Sequence, residues 1–113
     1  LIRLYRKHWK MVNENDLKDA NPWHPMSNPI DLKHIGKLLE ECGELVSALS
    51  RCLIQGIDES EPVTGVINKD WLENEIADVI TGIQLVEKRF ALMRLEGRIE
   101  KKTRHLSQWH NLA

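Results

Sequence analysis

Residues 38–50 read LLEECGELVSALS and residues 71–85 read WLENEIADVITGIQL. In both, apolar residues recur at steps of three and four, the period of an amphipathic helix. Each stretch also carries an acidic pair at i,i+3: Glu41 with Glu44, and Glu75 with Asp78. Like charges on neighbouring turns cost an isolated helix a few tenths of a kcal/mol per pair. A fold that keeps two such pairs must offset that repulsion elsewhere.

Four helical segments surround these pairs. From Leu1 to about Asn13, Ile2, Tyr5, Trp9 and Val12 share one face of a short amphipathic helix, with Arg3, Arg6, Lys7 and Lys10 elsewhere. The stretch DANPWHPMSNPID follows as a loop, because Pro22, Pro25 and Pro29 each bar helix propagation. Asp31 is the expected N-cap of a second helix that runs to about Ile54. Its apolar stripe is Ile35, Leu38, Leu39, Cys42, Leu45, Val46, Leu49 and Leu53, and Gly56 is its stop. The connection QGIDESEPVTGVIN is long for a helical bundle and reads as a lid or an oligomer contact, with a short extended piece around Val63 to Ile67. A third helix from Lys69 to about Leu92 is expected to bury Leu72, Ile76, Val79, Ile80, Ile83, Val86 and Phe90. A fourth, roughly Arg94 to Trp109, is basic, with Leu95, Ile99 and Leu106 at helical spacing. The expectation is one all-α domain over residues 1–113, a bundle of about four helices in antiparallel pairs.

Composition narrows the partners. The 113 residues carry a formal net charge of −1, no electrostatic match for nucleic acid or an anionic membrane. No apolar run approaches the roughly 18–20 residues that span a bilayer, and LIRLYRKHWK is charged where a signal peptide needs an apolar centre, so the reading is soluble and cytoplasmic. Cys42 and Cys52 lie ten positions apart in one helix, a rise of about 15 Å that forbids a mutual disulfide, and read as reduced thiols facing the core.

On the second helix His34, Lys37, Glu41, Glu44 and Ala48 form one stripe beside the apolar one; on the third, Trp71, Glu75, Asp78 and Gly82 do the same. Packed together, the two helices bring four carboxylates into a partly buried site that protons, Arg/Lys partners or a cation must neutralise. All-oxygen ligands suit Mg²⁺, with Mn²⁺ an alternative, over zinc or copper. Di-iron bundles use Glu-x-x-His, and no His occupies position 44 or 78. A Glu- and Lys-rich surface helix contains E-x-x-E by chance. Against that bland reading stand two such pairs, each flush with an apolar stripe and each followed one turn on by a small residue, Ala48 or Gly82, which leaves room. Glu40 and Glu73 fall on other faces and read as solvated.

At KLLEECGELVSAL (Lys37 to Leu49) and WLENEIADVITGIQL (Trp71 to Leu85) the chain resembles the MazG-like all-α nucleotide pyrophosphohydrolases, a group with relatives among dimeric dUTPases and phosphoribosyl-ATP pyrophosphohydrolase. The resemblance covers the two central helices. It implies that Glu41, Glu44, Glu75 and Asp78 ligate Mg²⁺. It also implies that a nucleoside triphosphate is cleaved to the monophosphate and pyrophosphate, and that a homodimer or dimer of dimers completes the site.

Within that chemistry Glu41 or Glu44 is the expected catalytic carboxylate, orienting or deprotonating the attacking water. Arg98, Lys101 and Lys102, with Arg104 and His105 nearby, are candidates for holding pyrophosphate, although a charge run of this kind is more often a solvated face. Lys37 is a further candidate for binding the substrate, or can instead pair with Glu41 one turn on. His34 reads as a packing or hydrogen-bonding residue. Trp71 or Trp23 can stack a base, while Asn68 and Lys69 stand where an anion could meet free helix N–H groups. Two competing functions remain open at this point: a dUTPase-like or phosphoribosyl-ATP activity on the same scaffold, and a catalytically silent helical dimer that binds nucleotides or a partner.

Overall fold

The computed structural model of the chain describes residues 3–4, 11–12 and 22–111. It comprises β1 (Arg3–Leu4), β2 (Met11–Val12), α1 (Pro29–Gln55), α2 (Asn68–Phe90) and α3 (Glu96–Asn111). Apart from the two-residue ladder the architecture is all-α, with three helices among the described residues where the sequence suggested about four. The expected N-terminal helix is the element that differs. Arg3 pairs with Val12 and Leu4 with Met11 in antiparallel register. A helix there would stack like charges, Arg3 against Arg6 and Lys7, and Arg6 against Lys10, at repelling i,i+3 and i,i+4 spacings. Ile2, Tyr5 and Trp9 lie outside the described residues.

No regular structure forms from Pro22 to Asn28, as the prolines dictate. Asn28, rather than Asp31, caps α1: its Oδ1 accepts from the N–H of Ile30 at 2.8 Å and of Asp31 at 3.2 Å. Pro29 follows at the first helical position, where its missing N–H costs nothing. Asp31 is left in the first turn, and it pairs with Arg89 near the end of α2 at 2.7 Å. Gly56 closes α1 at φ 107°, with its N–H on the Cys52 carbonyl.

α1 and α2 form an antiparallel hairpin. Besides Asp31–Arg89, Leu38 lies against Gly82, and Cys52 lies against the Asn68 carbonyl. Buried or half-buried residues run at 31, 34, 38, 41, 45, 48 and 52 on α1, with 42 and 51 beside that row, and at 68, 72, 75, 79, 82, 86 and 90 on α2, with 71 and 87 beside it. These steps of three and four make a coiled-coil-like seam. Two of its positions are Glu41 and Glu75. Gly82 allows close approach rather than leaving room: a Cβ there would sit 3.0 Å from Leu38 Cδ1 and 3.6 Å from its Cα. Ala48 is likewise filled space, being 1% exposed.

The apolar stripes of both helices divide. Leu38, Cys42 and Leu45 face α2, whereas Ile35, Leu39, Val46, Leu49 and Leu53 lie open, with Leu39 at 73% and Leu53 at 88% exposure. On α2, Leu72, Val79, Val86 and Phe90 join the seam, while Ile76, Ile80 and Ile83 stay exposed. Ala91 ends α2 in the left-handed region, and Arg94, expected to open the last helix, instead clamps Glu87 through two hydrogen bonds of 2.7 and 3.1 Å. α3 therefore starts at Glu96, and its Leu95, Ile99 and Leu106 stripe is exposed.

Candidate metal centre

Glu41 and Glu75 enter the seam at positions that a coiled coil fills with apolar residues, and each is only 8% exposed. Each has one oxygen held and one left over. Lys37 Nζ lies 3.0 Å from Glu41 Oε1, as the i,i+4 spacing predicts. The Trp71 indole N–H donates to Glu75 Oε1 at 2.9 Å, again from one turn before. Glu41 Oε2 and Glu75 Oε2 are buried with no protein partner among the described residues. A buried carboxylate oxygen without a donor is costly unless a cation or proton completes it.

One turn along, Glu44 and Asp78 add two solvent-facing carboxylates. One oxygen of each of the four groups lies within 4.8 Å of the others, so together they can hold a metal ion. The consequence of the crowding is visible at Glu44, whose carboxyl is pushed above its ordinary range by the charge of Glu41 first and of Glu75 next. Lys37 is held protonated more firmly than usual by its hydrogen bond to Glu41, with Glu40 adding to it. The donor set is oxygen only, two groups are pre-positioned by Lys37 and Trp71, and two face solvent. That combination fits a hard divalent cation.

The expected site residues divide by place. Glu41, Glu44, Glu75, Asp78, Lys37 and Trp71 come together on the α1/α2 hairpin. Arg98, Lys101 and Lys102 are exposed on α3, where Arg98 and Lys102 line a separate groove with Leu95, Ile99, Thr103 and Leu106. His34 donates from Nδ1 to the Ile30 carbonyl at 2.8 Å, a hydrogen-bonding role. Both cysteines are free and half-buried, less enclosed than core thiols. Glu40 and Glu73 are exposed. Trp23 is exposed in the Pro-rich segment.

Three features escape a reading of the sequence. Asn68, expected at an open helix mouth, is 1% exposed and donates through Nδ2 to Gln55 Oε1 and the Gly56 carbonyl, tying the start of α2 to the end of α1. The loop between them folds on itself: Ser60 and Ile67 bridge, the Glu61 N–H donates to the Val66 carbonyl, and Gly65 turns at φ 74°. The extended piece expected over Val63–Ile67 shrinks to that single bridge. Glu61 holds the turn by accepting from the N–H of Val63 and from the N–H and hydroxyl of Thr64, which lowers its pKa to about 2. Arg51 then reaches over the Trp71 ring, 4.9 Å from its centroid, with Glu61 at 3.4 Å.

Among the described residues no helix is long and apolar enough to cross a membrane. Comparison with family models, curated proteins and solved structures returns no match, so the geometry of the α1/α2 carboxylates carries the functional reading.

Proposed function

We propose that the chain is a Mg²⁺-dependent nucleoside triphosphate pyrophosphohydrolase of the MazG-like type, cleaving an NTP or dNTP to the monophosphate and pyrophosphate in nucleotide-pool housecleaning. The observation that carries this reading is the convergence of Glu41, Glu44, Glu75 and Asp78 within 4.8 Å, with an orphaned oxygen on each buried Glu. Mg²⁺, or Mn²⁺ in its place, supplies charge neutralisation on the phosphates and a more acidic water. Glu41 and Glu75, held by Lys37 and Trp71, would hold the cation that meets the phosphates. Glu44, the solvent-facing member beside buried Glu41, takes a proton from the attacking water as the α–β anhydride bond breaks and pyrophosphate leaves.

Homodimerisation, or a dimer of dimers, belongs to this reading. Ile35, Leu39, Val46 and Leu53 on α1 and Ile76, Ile80 and Ile83 on α2 form the apolar faces a second copy would cover. Such a copy can also bring Arg98, Lys101 and Lys102 of its α3 to the phosphates.

The test is a panel of NTPs, dNTPs and phosphoribosyl-ATP with Mg²⁺, products resolved by ³¹P NMR. Monophosphate with pyrophosphate supports the proposal, and diphosphate with phosphate contradicts it. Turnover confined to dUTP or to phosphoribosyl-ATP selects those narrower activities. Metal binding with no turnover of any member selects the silent binding module. Undiminished turnover in Glu44→Gln refutes the role given to Glu44.

A further inference from the structure

A cavity of about 500 Å³ opens on the loop side of Trp71, walled by Arg51, Val66, Thr64 and Asn74. It is separate in composition from the carboxylate cluster, yet the two share one side chain. The Trp71 ring faces the cavity, and its N–H binds Glu75 Oε1. The loop wall is fixed by the Glu61 turn, and Arg51 lies over the indole. Trp71 with the guanidinium over it, and apolar Val66 at the rim, suit a planar heterocycle, which stacks on aromatic rings and on Arg guanidinium planes alike, base–aromatic stacking being worth about 1–3 kcal/mol.

Among the described residues, the one cationic group in the cavity wall is the Arg51 guanidinium. The Glu61 carboxylate is already occupied by Val63, Thr64 and Arg51, so it cannot serve as an acceptor for a ligand. The Arg51 guanidinium retains donors beyond its contact with Glu61. Asn74, exposed at the rim, contributes an amide. The paired acceptors of an oxo ring edge, such as O6/N7 of guanine, match the Arg51 fork.

We propose that this cavity takes the nucleobase of the substrate and favours a base with an oxo, acceptor-rich edge, read by Arg51 while Trp71 supports the ring. The proposal rests on the reading of the carboxylate cluster as the phosphate and metal site. It makes Arg51 a specificity-determining residue that the acidic motifs do not announce.

The experiment measures equilibrium binding of three probes to the full chain in Mg²⁺: the α,β-imido triphosphates of guanosine and adenosine, and inorganic tripolyphosphate. The wild type should bind the guanosine analogue at least about fivefold more tightly than tripolyphosphate, the lower end of the stacking range, and more tightly than the adenosine analogue. Val66→Trp, which fills the cavity from an exposed rim position, should weaken the guanosine analogue at least fivefold and leave tripolyphosphate within twofold. Arg51→Ala should remove the preference for guanosine over adenosine. Equal binding of guanosine analogue and tripolyphosphate in the wild type, or equal weakening of both by Val66→Trp, overturns the base pocket while leaving the phosphate site standing. A guanosine analogue that binds where tripolyphosphate does not supports the pocket and overturns the phosphate reading instead. Failure of all three probes to bind overturns both.

Discussion

Glu75→Gln should hold a stability advantage over the wild type without metal and lose nearly all of it when a metal is added. At no more than 4.8 Å, the Glu41 and Glu75 carboxylates repel by about 3.5 kcal/mol at an effective dielectric of ~20. The isosteric amide removes that repulsion and keeps an acceptor for the Trp71 N–H, losing only the charge-assisted part of that bond, about 1 kcal/mol. The net gain, about 2.5 kcal/mol, corresponds to a rise in Tm of roughly 10–20 °C for a domain of this size. In EDTA the variant should therefore be the more stable protein. With Mn²⁺ at a hundred times its Kd the wild type gains about 2.7 kcal/mol by linkage. A variant whose affinity has fallen a hundredfold gains only about 0.4 kcal/mol under the same conditions. Thermal unfolding followed by circular dichroism at one fixed protomer concentration reads both terms. A variant less stable than the wild type in EDTA and equally responsive to Mn²⁺ would refute the idea that these two buried carboxylates repel and share a cation.

Three further outcomes follow from individual contacts. The raised Glu44 carboxyl means that the folded, metal-free protein binds its proton more tightly than the unfolded chain. Its contribution is thus present below the ordinary carboxylate pKa of 4.5 and is lost as pH rises through the elevated value; Glu61, lowered to about 2, acts oppositely and loses its contribution as pH falls from 4.5 toward 2. Tm in EDTA should therefore fall as pH rises above 4.5 in the wild type and be flatter there in Glu44→Gln. Asn28→Ala should cost about 1 kcal/mol in denaturant unfolding, because it strips the cap from two N–H groups of α1. Leu39→Glu together with Val46→Glu, both on the open face, should lower the mass found by light scattering to that of the monomer; an unchanged oligomer would place the interface elsewhere.

The α1/α2 hairpin and its four carboxylates are legible in the sequence because both depend on local spacing. E-x-x-E and E-x-x-D put each acidic pair on one face whatever the tertiary fold, and Lys37 and Trp71 reach their partners from one turn away. Which apolar face pairs with which is not legible, since α1 offers Leu38, Cys42 and Leu45 on one side and Leu39, Val46 and Leu53 on another. Periodicity alone ranks these equally; Gly82, by admitting Leu38 closely, helps decide the seam. The Arg51, Glu61 and Trp71 grouping depends on a loop turn ten residues from either neighbour and on a cross-helix approach, neither of which leaves a periodic trace. Asn68 was hidden for the same reason: its polar side chain is buried by partners twelve and thirteen positions away. The N-terminal segment misleads because its wide apolar spacing suits a helix while its clustered Arg and Lys residues oppose one.

The most direct test of the central claim is anomalous diffraction from crystals soaked in Mn²⁺. The carboxylate site predicts a peak bonded to oxygens of Glu41, Glu44, Glu75 and Asp78 at roughly 2.0–2.3 Å. A peak elsewhere, or none between α1 and α2 at saturating Mn²⁺, would contradict it.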